Sequence, residues 1–208
     1  MPSDNIKAIT LSIIKVFENI NSHICEIDQN AMSREEIVKA ICNYVTQTVT
    51  AESKSLLFSF YSLMMDATLG KEPFITTKNK NKFYDYDIRS KIFEKYNFTT
   101  EVEINYNQVN EILNALPIPA GVLGIGVVLS IALSKAIIVP ISVLIAGGVY
   151  YIVKEDKKKK NQAEFVSSIK KYLDSVKDEL ILWFENIEIY YNGQVEELKQ
   201  SIKGEANA

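Results

Sequence analysis

Residues 115–153 read ALPIPAGVLGIGVVLSIALSKAIIVPISVLIAGGVYYIV, and Lys135, near the midpoint, is the only charged side chain among them. A charged side chain at the centre of a bilayer is costly, so a long uncharged run is the strongest single sequence signal for membrane insertion. One helical crossing takes about 20 residues, and this run is nearly twice too long for that. It therefore predicts a hairpin of two arms, each of roughly 17 residues, turning near Ser134-Lys135. At the tip, the long stem of Lys135 carries its ammonium to the far headgroups.

The flanks predict the sidedness. Lys154 and then Lys157, Lys158, Lys159 and Lys160 follow the second arm directly, which places that end in the cytoplasm. Tyr150 and Tyr151 sit just inside the lysines, where an interfacial aromatic belt belongs. A hairpin returns both ends to one side, so the expectation is a two-pass inner-membrane protein with both termini cytoplasmic. Gly126, Ser130 and Ser134 recur every four residues in the first arm, and Ser142 with Ala146 repeats the spacing in the second. Such stripes let helices approach closely; in an oligomer the same hydroxyls can line a conduction path. Pro117 and Pro119 suit a helix entrance, while Pro140 kinks the second arm or marks its start. The competing reading is a hairpin buried in the core of a soluble helical protein, or one sheltered by amphipathic helices until a trigger releases it.

Outward from the hairpin, residues 1–114 form an N-terminal helical region. Ile6, Ile9, Ile13, Val16 and Ile20 recur at helical spacing, which predicts an amphipathic helix over 4–28 capped by Asp4. Ser33 and Glu36 make a capping box ahead of Ile37, Ala40, Ile41 and Val45. A further helix runs from about Glu52 to Leu69, carrying Leu56, Leu57, Phe60, Leu63 and Met64, with Gly70 placed to end it. Lys71 to Lys95 predicts a loop and one short helix. There Lys78, Lys80, Lys82, Phe83, Tyr84 and Arg89 interleave charge with aromatic rings, a pattern able to grip a nucleotide or oligonucleotide; a solvated basic loop is the plainer account. Val102, Ile104 and Tyr106 alternate with polar residues in a strand-like period.

Residues 154–208 form the C-terminal region, a long helix to about Ile202. Val166, Ile169, Leu173, Val176, Leu180, Trp183, Ile187 and Tyr190 keep one stripe, and Tyr191, Val195, Leu198 and Ile202 continue it after a slip, with Asn192-Gly193 as the weak point. This stripe suggests association between copies of the chain or packing in cis against the N-terminal isoleucines, and both can hold together.

Several functions find no residues to perform them. A net charge of -3 and a pI near 5.4 argue against a dedicated nucleic-acid binder. Cys25, Cys42 and the lone His23 lack metal-ligand spacing, so no metal site is expected. Gly121 to Gly126 lies inside the apolar arm without a following Lys-Ser or Lys-Thr, so it is not a phosphate loop. Neither an enzyme nor a cofactor is expected. The N-terminus carries charges and no cleavage pattern, so it does not read as a secretory signal. Without one, the glycosylation pattern at Asn97-Phe98-Thr99 has no consequence.

The order and lengths of these segments resemble two groups of proteins. A cytoplasmic part joined to a two-pass hairpin resembles the two-transmembrane pore-forming effectors of bacterial antiphage defence, or abortive infection, systems. Amphipathic helices around one apolar hairpin resemble colicin-type channel domains, although those place the hairpin near the C-terminus. The first resemblance implies an all-α helical bundle with a central transmembrane hairpin and a long C-terminal amphipathic helix. It further implies a homo-oligomer that permeabilises the inner membrane when a nucleotide, oligonucleotide or partner protein signals to the cytoplasmic region. A non-conducting membrane anchor or scaffold, and a soluble colicin-like toxin, are the alternatives.

Overall fold

The computed structural model describes residues 2–26, 34–96 and 162–206, and every element among them is a helix. In chain order these are α1 (Asp4–Glu26), α2 (Arg34–Leu69), α3 (Thr77–Asp85), α4 (Ile88–Lys95) and α5 (Gln162–Ala206). The hairpin at 115–153, the strand-like residues 102–106 and the capping-box serine, Ser33, lie outside the described residues. Among those described, no helix is long and apolar enough to cross a membrane.

α1, α2 and α5 form the body. α1 buries Ile6, Ile9, Ile13, Phe17, Ile20 and Ile24, so its stripe runs through Phe17, and Val16 is only half-buried at its edge. Phe17 follows Ile13 by four residues and precedes Ile20 by three, which keeps it closer to the centre of the face than Val16. The helix N-terminus also differs from expectation. Ser3, not Asp4, is the cap: its Oγ accepts a hydrogen bond from the Ile6 N–H at 3.1 Å, while Asp4 pairs with Lys7 at 2.7 Å.

α2 is one helix of 36 residues where the sequence predicts two. No glycine or proline interrupts residues 46–51, and the core stripe Ile41, Val45, Val49, Ser53, Leu57, Phe60, Met64 continues without a break. Gly70 does end it, its N–H bonding back to the Asp66 carbonyl at 3.3 Å. Likewise α5 runs 45 residues, about 67 Å, straight through Asn192-Gly193. A single glycine costs about 1 kcal/mol in a helix, and the burial of Ile187 and Tyr191 on one side and Val195 and Leu198 on the other outweighs that. The slip in the stripe is real: Ile187, Tyr191, Val195, Leu198 and Ile202 are buried, and Tyr190 is half-exposed.

The directions of the helices follow from cross-contacts. Phe60 meets Phe184 edge-on, with centroids 5.3 Å apart, and Tyr191 donates to Thr68 Oγ1 at 2.9 Å, so α2 and α5 run parallel. α1 runs against both: His23 stacks on Tyr44 at 4.0 Å, and Ser3 and Asn5 meet Glu188. The Glu188 carboxylate accepts from Ser3 Oγ at 2.7 and 2.8 Å and from Asn5 Nδ2 at 3.2 Å. A negative group is thereby held at the positive end of the α1 dipole. The α5 stripe is thus packed in cis against α1 and α2.

Candidate functional site

The basic-aromatic segment contains two helices where the sequence predicts a loop and one short helix, and the lysine run lies inside the first. Thr76 caps α3, its hydroxyl accepting from the Asn79 N–H at 3.4 Å, and the Asn79 amide ties back to the Pro73 carbonyl at 2.7 Å. Asp87 caps α4 from the left-handed region, with φ at 46°, and receives both the Ser90 N–H and hydroxyl, at 3.1 and 2.6 Å. These bonds hold its carboxyl below the usual range. Local polar chemistry therefore overrides what reads as a loop-like lysine–asparagine run.

Packing then divides the six patch residues. Phe83 is 1% exposed and lies edge-on to Phe74 in the core, so no base can stack on it. Lys82 pairs with Glu205 near the end of α5. The Arg89 guanidinium lies over the Phe58 ring at 4.8 Å and the Phe93 ring at 5.7 Å. Lys78 and Tyr84 are exposed and Lys80 half-exposed. Lys78 shares the face of Lys82, whereas Lys80 and Tyr84, four apart, share another. The structure does not gather the six into one concave surface.

What the segment does instead is clamp α5. Tyr96 donates to the Asn186 carbonyl at 3.0 Å and sets its ring edge-on to Trp183 and Tyr190. Burial pushes its hydroxyl up to about 12. Tyr86 donates to Glu197 at 2.9 Å; burial and that carboxylate raise its pKa too. Lys91 lies 3.2 Å over the Tyr86 ring and Lys95 3.9 Å over Tyr190, so two more cations rest on aromatic faces.

A cleft of about 200 Å³ opens where α1 begins and α2 ends, lined by residues including Asn5, Thr68, Lys71, Tyr191, Asn192 and Lys199. Its buried hydroxyls satisfy one another: Tyr191 donates to Thr68, and Thr68 to the Met64 carbonyl at 2.8 Å. Lys199 is paired with Glu196 at 2.6 Å. Among the described residues no cluster of three His, Cys, Asp or Glu side chains is placed to hold a metal.

Sequence reasoning did not single out Thr50, Ser53 or Glu179. Each has a buried side-chain oxygen with no hydrogen-bond partner. Ser53 carries one sequence signal, a polar residue on the α2 stripe between Val49 and Leu57. Glu179 has none, since it lies beside the α5 stripe rather than on it. The remaining predicted residues, Gly126, Ser130, Ser134, Lys135, Ser142, Ala146, Tyr150, Tyr151, Lys154 and Lys157 to Lys160, fall outside the described residues. No known protein family, curated protein or solved structure matches the chain.

Proposed function

We propose that this chain is a two-pass, membrane-inserting helical protein of the inner membrane that oligomerises and permeabilises the bilayer on a cytoplasmic signal. The observation that carries the reading is the apolar run from Ala115 to Val153, with Lys135 as its only charge and five lysines directly after it. The bundle is compatible with it. Tyr96 meets Trp183, and Gln162 begins α5 some 21 residues earlier, so the chain leaves and rejoins the described bundle at points about 30 Å apart along α5. The lysine cluster immediately precedes α5, which makes that helix the element directly joined to the second arm. Because the α5 stripe is used in cis, association between copies falls to the small-residue faces at Gly126, Ser130 and Ser134.

Liposomes test the reading. Purified full-length protein should float with lipid vesicles and, as an oligomer, release a trapped dye. Replacing Ser130 and Ser134 by leucine should abolish release while leaving flotation intact. Flotation with no release from the wild type would favour a non-conducting anchor, and absence of flotation would rule out membrane insertion.

A further inference from the structure

α1 carries two stripes. The inner one, from Ile6 to Ile24, is buried in the bundle. The outer one is Asp4, Lys7, Leu11, Ile14, Glu18 and Asn21, which recur at spacings of three and four and so share a second face of the helix. All six are exposed, Leu11 at 63% and Ile14 at 37%. Leu11 and Ile14 lie one turn apart, so they make one apolar patch on a water-facing ridge rather than two scattered residues.

The charges beside the patch say what it fits. Lys7 lies four residues before Leu11 and Glu18 four after Ile14, so the spacing is symmetric about the point between Leu11 and Ile14 while the charges at its two ends are opposite. Laid antiparallel on a second copy about that point, Leu11 meets Ile14, Lys7 meets Glu18 and Asp4 meets Asn21, each twice by the two-fold. A parallel pairing would set Lys7 on Lys7 and Glu18 on Glu18, which is repulsive. The bond from Lys7 to Asp4 at 2.7 Å uses one ammonium proton and leaves two for a facing Glu18. We propose that the outer stripe of α1 is a contact between copies, made with the same stripe of a second chain running antiparallel. It deepens the oligomer proposed above and rests on that reading for its tether. A helix of 23 residues presents a face about 35 Å long and about 10 Å wide, about 350 Å² per copy, which is under half of what a stable complex buries. The contact therefore acts between copies that the apolar segment already holds together, where effective concentration makes up for area. Two copies share one bilayer under this two-fold only when its axis lies along the bilayer normal, which sets α1 parallel to the surface.

The test uses the full chain with Cys25→Ser and Cys42→Ser, mixed with vesicles of phosphatidylcholine and phosphatidylglycerol and treated with a short bis-maleimide. Asp4→Cys and Asn21→Cys in one chain should crosslink it to a dimer. Either alone should not, because the two-fold holds like positions 17 residues apart along the axis, about 26 Å. Lys7→Glu or Glu18→Lys should weaken pairing roughly two- to thirtyfold, the effect of losing two exposed ion pairs, and both in one chain should restore it. Within a chain those positions are 11 residues apart, about 16 Å, so only a facing copy accounts for the rescue. Leu11→Glu should abolish the crosslink without unfolding the helices, as circular dichroism will show. Crosslinking through either cysteine alone, no crosslink from the pair in chains that float with the vesicles, or charge reversals that do not rescue each other would overturn the proposal. If the cysteine-free chain misfolds, the same substitutions are read against the wild-type background. Should no chain float, the membrane reading fails separately, and the same crosslinks in non-ionic detergent at high protein concentration decide the stripe.

Discussion

Removing the Ser3 hydroxyl breaks two bonds with one atom. Ser3 Oγ accepts from the Ile6 N–H and donates to the half-buried Glu188 carboxylate of α5, 185 residues away. Losing an N-cap costs about 1 kcal/mol. A bond to a charged group is worth about 1.5–3 kcal/mol when well sheltered; half-exposed as here, about 1 is the fair share. Ser3→Ala should therefore cost about 2 kcal/mol, a fall in Tm of roughly 4–8 °C for a chain of this size. Glu188→Gln keeps the acceptor oxygen but removes its charge from the α1 terminus, for about 0.5–1 kcal/mol. If the two residues act through each other, the double variant should cost less than the sum, with a coupling of about 0.5–1 kcal/mol. The assay is denaturant unfolding followed by circular dichroism on the four proteins, full-length and in one detergent. Strict additivity would refute the reasoning, because it would mean that Ser3 caps α1 without holding it to α5.

Other expectations follow from the same packing. Gly193→Ala should stabilise α5 by about 0.5–1 kcal/mol, since nothing lies within 4 Å of the added methyl; a lower melting temperature would show that the helix bends there. Phe184→Ala removes a fully buried ring in contact with Phe60 and Trp183 and should cost about 3–5 kcal/mol in denaturant unfolding, with a loss under 1 kcal/mol contradicting the core assignment. Tyr96→Phe keeps the ring against Trp183 but loses the bond to Asn186, so it should cost about 1 kcal/mol and leave the Trp emission maximum nearly unchanged; a large spectral shift would mean that the hydroxyl positions the ring.

Periodicity made the body of the fold legible. The isoleucine stripe of α1 and the long stripe of α5 each require a partner face, and the structure supplies them to one another. What the sequence hid was decided by competition between local and tertiary terms. The threonines at 46, 48 and 50 look like a poor helix interior, yet Val45, Val49 and Leu57 are worth more buried in one continuous face than the break would save. The lysine run at 78–82 reads as a loop because its composition is polar, but Thr76 and Phe83 give it a cap and an anchor. Residue types alone suggest the ligand patch, and types do not say which ring is free. Phe83 is packed in the core, and the Phe58, Phe93, Tyr86 and Tyr190 rings each carry a cation from α4.

That last point bears on how a signal could reach α5. α4 touches α5 through Tyr96 and Tyr190, while Tyr86 at the α3 end meets Glu197 further along. The contacts thus cover α5 from Trp183 to Glu197. A ligand or partner that displaced α4 would uncover Trp183. Loosening the clamp with Tyr96→Ala should therefore shift Trp183 emission to the red and make it more quenchable by acrylamide, whereas the conservative Tyr96→Phe should leave both nearly unchanged. Equal emission and quenching in Tyr96→Ala and wild type would mean that the α4 end does not shield Trp183.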